Sequence, residues 1–222
     1  MGMTEHDNIT PVTEQNLNAL VERQRSQFRA EGEVTYATRM DRLKRLKALI
    51  IENKTAFAET TKREFNGARS YEFSLFSEFA SKVEAIEYSM KHLKAWMKPE
   101  KRSANKPMNF LGGKSQVRYY PKGVVGIISP WNLPFGLTVA PLTSALAAGN
   151  RALLKPSEFV PETAALFAEV VPRYFPEEEV AVVTGGADIS QQFAELPFDH
   201  LLFTGSTRIG AKVMQSASQS LV

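Results

Sequence analysis

The run Gly123-Val-Val-Gly-Ile-Ile-Ser-Pro-Trp-Asn-Leu-Pro134 constrains the fold more than any other stretch. Its apolar half, set between glycines, predicts a strand buried on both faces. Its two prolines forbid further ladder pairing and hold the backbone extended. A buried strand thus stops in a stiff loop that presents Trp131 and Asn132. Strand and helix then alternate. A helix is predicted over 135–148, ended by Gly149-Asn150, then a strand over 151–155. A helix over 161–174 follows, with Pro161 in its first turn, then a strand over 180–184 ending in Gly185-Gly186. The rest reads as a short helix over 189–195, a strand over 200–204 and a helix from about 208. Such alternation predicts a parallel, doubly wound α/β sheet, whose ligands bind at the carboxyl ends of the strands.

The first hundred residues read differently. Residues 1–15 look like a mobile tail, and 16–30 like a helix interrupted by Gly32. Thr38 is the expected cap of a second helix, with Asp41 in its first turn. Leu43, Leu46, Leu49 and Ile50 form its apolar stripe, and Asn66-Gly67 its end. Phe76, Phe79, Val83, Ile86, Met90, Leu93 and Met97 are spaced alternately by three and four. That pattern fits a long helix packed on its neighbours better than a dimeric coiled coil, because flanking charges are poorly patterned. Pro99 stops it. Residues 101–114 read as a connector and 115–120 as an exposed strand. Gly112-Gly-Lys-Ser115 lacks the earlier glycine and preceding strand of a phosphate loop, so it reads as a turn.

Composition excludes several functions. With 27 basic and 24 acidic residues the net charge is +3, too balanced to argue for nucleic acid. No apolar run is long enough for a bilayer, and the polar N-terminus lacks a signal-peptide pattern, which predicts a cytoplasmic protein. Cysteine is absent, so these residues hold no disulfide and no thiol nucleophile. His6, His92 and His200 are scattered, with no metal-ligand pattern; His200 is expected to pack at a strand start.

Three strand-end turns carry the functional signal. Leu201 to Gly210 reads as a buried strand, a small-residue turn and a helix start, where free N–H groups and the helix dipole suit an anion. Its glycines are five apart with no middle glycine, so alone the signal is weak against a plain turn. Lys155-Pro-Ser-Glu158 could hold a ribose, or be a surface lysine and a helix-capping acid. Gly185-Gly186 is the third turn, and convergence of the three along one sheet edge outweighs each alone. Asn132 is the candidate catalytic group, because a neutral amide can stabilise a developing oxyanion; the plainer role is bonding its own loop.

Taken in order, Pro130-Trp-Asn-Leu-Pro134, Ala148-Gly-Asn150, Lys155-Pro-Ser-Glu158 and Phe203-Thr-Gly-Ser-Thr207 resemble the aldehyde dehydrogenase superfamily, from roughly Arg39 onward. The wording is similar to its class 3 branch, and within it to the bacterial coniferyl aldehyde dehydrogenases. The resemblance implies N-terminal helices followed by a doubly wound parallel (Rossmann-like) sheet, incomplete at the C-terminus. It implies a helical segment over 1–98 packing on the cofactor domain, a connector with an oligomerisation-type strand over 99–120, and dinucleotide-binding βα repeats over 121–222. It further implies oxidation of an aldehyde, aromatic and coniferyl aldehyde-like, to the acid with NAD, NADP being the alternative. A cysteine thiolate attacks the aldehyde, hydride passes to the nicotinamide, and glutamate-activated water hydrolyses the thioester. By the same resemblance Asn132 holds the oxyanion, and Ser129, Pro130 and Trp131 line the cleft. Lys155 and Glu158 bind the adenosine ribose, Gly205 and Ser206 meet the pyrophosphate, and Ile209 lies near the adenine side; Gly185, Phe203 and Thr204 are further cofactor-binding residues. The acid at Glu158 repels a 2′-phosphate, which favours NAD. The partners implied are the aldehyde and, for the full-length enzyme, a second copy in a homodimer, with neither nucleic acid nor membrane.

The family's Glu-Leu-Gly-Gly segment and its cysteine are missing from these 222 residues, so the fragment alone is expected to be inactive. Loss of the strand after the last helix is expected to leave an open sheet edge, weak stability and self-association. Two other readings compete. One is a non-catalytic nucleotide-binding or protein-interaction module, which cofactor titration separates. The other is an acyl-phosphate or CoA-linked reductase, against which the Pro-Trp-Asn-Leu-Pro wording speaks. The substrate tunnel is expected to draw on Tyr71, Phe73 and Phe76.

Overall fold

The computed structural model describes residues 14–107 and 110–220. Most of the expected tail, His6, Leu221 and Val222 fall outside them. Helix α1 spans Glu14–Glu31 and α2 Tyr36–Glu64. The cap of α2 is Thr35, whose hydroxyl accepts from the Thr38 N–H at 3.2 Å; Thr38 is not the cap, and no acid lies in the first turn. The two threonines compete for one role, and the one with extended backbone takes it. Beyond α2, Asn66 and Gly67 turn left-handed, as their pairing predicts.

The next helical stretch starts earlier than its periodicity predicts. It comprises α3 (Tyr71–Ser74), a π-helical turn (Leu75–Ala80) and α4 (Ser81–Trp96). The wider π turn takes Phe76 off the apolar stripe and leaves it 81% exposed, whereas Phe79, Ile86 and Leu93 are buried. The stripe packs against α2 and against the helix that follows the first buried strand. In the connector, β1 (Glu100–Arg102) pairs antiparallel with β2 (Ser115–Val117), which is shorter than expected.

From there the predicted alternation holds. It runs β3 (Val124–Ile128), α5 (Gly136–Ala148), β4 (Arg151–Lys155), α6 (Pro161–Val170), β5 (Val180–Val182), α7 (Ala187–Glu195), β6 (His200–Phe203) and α8 (Thr207–Ala217). A 3₁₀ turn at Val171–Arg173 shortens α6. Gly149 closes α5 with φ +88, a conformation few side chains tolerate. The parallel strands stand in the order β5-β4-β3-β6. Strands β3 and β4 are buried throughout, but β6 is an edge strand with exposed His200 and half-buried Leu201, Leu202 and Phe203. Among the described residues no strand pairs with its other edge, so it is less buried here than its sequence suggests.

Alternate strand residues feed two cores. Val125, Ile127, Ala152 and Leu154 pack with α2, α4, α5 and α6 on one face. Val124, Ile128 and Leu153 pack with Leu17, Leu20 and Val21 of α1 and with Phe193 and Phe198 on the other. The N-terminal helices therefore complete both layers of the sheet. Ion pairs clamp the amino ends of the strands. Arg42 is buried and binds Glu31 and Glu179, while Arg151 at the start of β4 shares Glu31. Buried Gln24 donates to the carbonyls of Ala152 and Glu177. Among the described residues no helix is long and apolar enough to cross a membrane.

Candidate functional site

Chain order and sheet order diverge beside β3. The chain steps outward from β3 to β4 to β5, then crosses back to place β6 on the other side of β3. Loops leaving β3 and β6 must part there, the position at which doubly wound sheets bind ligands in a crevice at the carboxyl edge. Register brings the singled-out residues to that edge. Ile128 is level with Lys155 and with Phe203, and Leu154 with Val182. The Ser129 N–H donates to the Lys155 carbonyl (3.2 Å) and the Thr204 N–H to the Ile128 carbonyl (3.0 Å). All three strand-end turns thus lie along one edge.

Lys155 is not a surface lysine. It is 1% exposed, and its Nζ donates to the carbonyls of Pro156 (2.9 Å) and Gly185 (3.0 Å). An ammonium has three N–H donors, so one remains for a ligand. Burial pulls its pKa below the ordinary lysine value, against the opposing pull of Glu158 and Asp188. Glu158 is exposed and caps nothing; Val160 occupies the cap of α6 without a side-chain bond. Gly185 offers its carbonyl to Lys155, so two of the turns are joined by hydrogen bond.

At β6 the turn is shaped by Phe203. A Cβ on Gly205 would lie 2.4 Å from its ring, and one on Gly210 3.3 Å from it. The backbone of the turn therefore lies directly on the ring. Ser206 caps α8, its Oγ accepting from the Ile209 N–H at 3.4 Å. N–H groups in the first turn of α8 point outward without helical partners. Half-exposed Ile209 stands on that turn.

The β3 loop behaves differently along its length. Ser129 is buried and its Oγ lies 2.6 Å from Thr138 Oγ1, which donates to the Pro134 carbonyl. Its hydroxyl therefore faces α5 and leaves only backbone at the strand end. Pro130 is half-buried. The Trp131 ring stacks on Phe65 with centroids 6.1 Å apart, and the Arg69 guanidinium lies 4.1 Å from the Phe65 centroid. Asn132 is exposed, and its amide makes no hydrogen bond to a described residue, so it does not brace its own loop.

Sequence reasoning missed Glu78. From the π turn its Oε2 accepts the N–H groups of Phe135 and Gly136, each at 2.9 Å. It carries no motif and stands among apolar residues, so nothing in the sequence singles it out. Among the described residues no cluster of histidine and acids could hold a metal ion.

A sequence profile described as the aldehyde dehydrogenase family matches residues 4–222. A coniferyl aldehyde dehydrogenase from Pseudomonas sp. (strain HR199 / DSM 7063) is 40% identical over 215 residues, covering 97% of this chain and 44% of that protein. Aldehyde dehydrogenase family 3 member B1 of Rattus norvegicus is 37% identical over 183 residues, covering 82% and 38%. Among solved structures, Staphylococcus aureus AldH in a substrate-bound state superposes with TM-score 0.87 at 29% identity, over 96% of this chain and 45% of that one. The NAD+ complex of a Bacillus cereus aldehyde dehydrogenase gives 0.79 at 26%, over 95% and 42%. The chain spans less than half the length of these proteins.

Proposed function

This chain belongs to the aldehyde dehydrogenase family, and on that footing we propose that its crevice binds the dinucleotide used to oxidise an aldehyde to the carboxylic acid. Lys155 carries the reading. A buried ammonium with two carbonyl partners and one spare N–H is costly unless a ligand uses it. In this reading Lys155 and Glu158 take the adenosine ribose, next to Gly185. Phe203, Thr204, Gly205 and Ser206 form the pyrophosphate turn, which is favoured by unpaired N–H groups and by backbone laid bare over the Phe203 ring. Ile209 faces the adenine, while Ser129, Pro130 and Trp131 wall the cleft.

The cofactor would supply hydride acceptance. Asn132, exposed and unbonded, would donate its amide N–H to the developing oxyanion. NAD is preferred over NADP because Glu158 would oppose a 2′-phosphate. An aromatic, coniferyl aldehyde-like substrate is supported by the name of the Pseudomonas relative and by a series of stacked groups beside Asn132. There Phe73, Arg69, Phe65 and Trp131 follow one another, with Arg69 6.0 Å from the Phe73 centroid. These 222 residues contain no cysteine and are proposed not to turn over aldehyde alone. The full-length enzyme is proposed to be a cytoplasmic homodimer.

Calorimetric titration of the purified chain with NAD tests the reading. One saturable site, weakened by Lys155→Ala and by Glu158→Ala, is the expected result. A folded chain that takes up no NAD would overturn it. Aldehyde-dependent NADH formation by the chain alone would refute its proposed inactivity.

A further inference from the structure

Glu78 lies outside the crevice, yet it is linked to both ends of the loop that walls it, to one directly and to the other through Arg69 and Phe65. It is 1% exposed, in the π turn between α3 and α4. Such turns recur where a side chain must be aimed out of helical register. Oε2 accepts the first free N–H groups of α5, those of Phe135 and Gly136, where a negative charge is favoured. Oε1 faces Arg69 Nη1 at 3.6 Å, close enough for an ion pair and too far for a hydrogen bond. Arg69 in turn lies over Phe65, which stacks on Trp131. One carboxylate therefore holds the Gly136 end of the loop directly and its Trp131 end through a cation and a ring.

We infer that Glu78 is the positioning residue that sets where Trp131 and Asn132 stand over the crevice. This rests on the reading of the crevice as the cofactor site. The charges facing Glu78 are Arg69, from the turn before α3, and Lys82 on α4; α5 presents only backbone N–H groups. Burial raises the carboxyl pKa, opposed by the Gly136 N–H, Arg69, the Phe135 N–H and Lys82 in that order. On acidification the brace is therefore lost earlier than an ordinary glutamate would be.

The chain has two tryptophans, so Trp96→Phe leaves Trp131 as the sole tryptophan, excited selectively at the red edge of the protein absorption band. In that background, Trp131 emission is followed from neutral pH into acid, and NAD binding is measured by calorimetry. Emission is expected to titrate with a midpoint above the ordinary glutamate value of about 4.3. Glu78→Gln, of the same shape, is expected to abolish that titration and weaken NAD several-fold; Glu78→Asp is expected to keep the titration and recover part of the affinity. A Trp131 titration that persists in Glu78→Gln would overturn the inference. If Glu78→Ala fails to fold, Glu78→Gln and Glu78→Asp still decide. If the background chain binds no NAD, the cofactor reading fails, while the emission titration still decides for or against Glu78.

Discussion

Arg42 reaches from α2 to Glu31 at the end of α1, its Nη2 lying 2.9 and 3.0 Å from the two carboxylate oxygens. Its Nε meets Glu179, just ahead of β5, at 3.0 Å. One buried guanidinium thus ties a helix from each face of the sheet to the amino end of its strands. Arg42→Leu is expected to destabilise the chain by roughly 3–5 kcal/mol, the cost of stranding the partners of a buried ion pair. A urea unfolding midpoint that hardly moves, at constant m-value, would contradict this.

Lys155→Met keeps most of the aliphatic stem and removes the Nζ donors. One charge-assisted hydrogen bond is worth about 1.5–3 kcal/mol, so NAD affinity should fall roughly tenfold to a hundredfold. Calorimetry measures it directly. Unchanged affinity would remove Lys155 from the ribose site.

Glu158→Gln removes the exposed charge beside the proposed ribose without changing its shape. Affinity for NADP relative to NAD is expected to rise, by about tenfold at most for an exposed charge. Competitive titration of the two cofactors gives the ratio; an unchanged ratio places the 2′-position elsewhere.

Gly205→Ala drives a methyl group to 2.4 Å from the Phe203 ring. A loss of about 1–3 kcal/mol is expected from the overpacking, together with weakened NAD binding as the turn lifts. Adding Phe203→Leu should restore part of both losses. Failure of that rescue would mean the ring is not what shapes the turn.

Glu78 also sets a pH dependence of stability. Its carboxyl pKa is raised on folding, so between the unfolded and folded values the native state holds more protons than the unfolded chain. Its contribution therefore declines as pH rises through that window. Glu78→Gln should flatten that part of the curve in thermal melts taken in mild acid. An identical slope in both proteins would mean that Glu78 does not titrate there.

The parts of the fold legible in the sequence were those with local causes. Strand cores, the closure of α5 at Gly149 and the turn at Asn66-Gly67 follow from side chains and glycines read over a few residues. Convergence of the three turns was legible too, because parallel strands must end on one edge. The remainder depends on partners far apart in the chain. Strand β1 is three exposed charged residues with no apolar signal; only its partner β2 makes it a strand. Phe76 fits the helical stripe by count, and the π turn removes it. Arg42 looks like one more solvated helix residue, although its carboxylates come from α1 and from residue 179. Glu78 is silent for the same reason, since the N–H groups it caps lie 57 and 58 residues away.

The return of β6 to the flank of β3 has a consequence for synthesis. Strand β4 can pair with β3 soon after both emerge from the ribosome, but β3's other edge stays vacant until Phe203 appears, 75 residues after Ile128. At common elongation rates that is about 4–15 s. During most of this interval a nascent chain presents a bare strand edge whose apolar cover still lacks Phe193 and Phe198, which is the period when a chaperone would have most to protect.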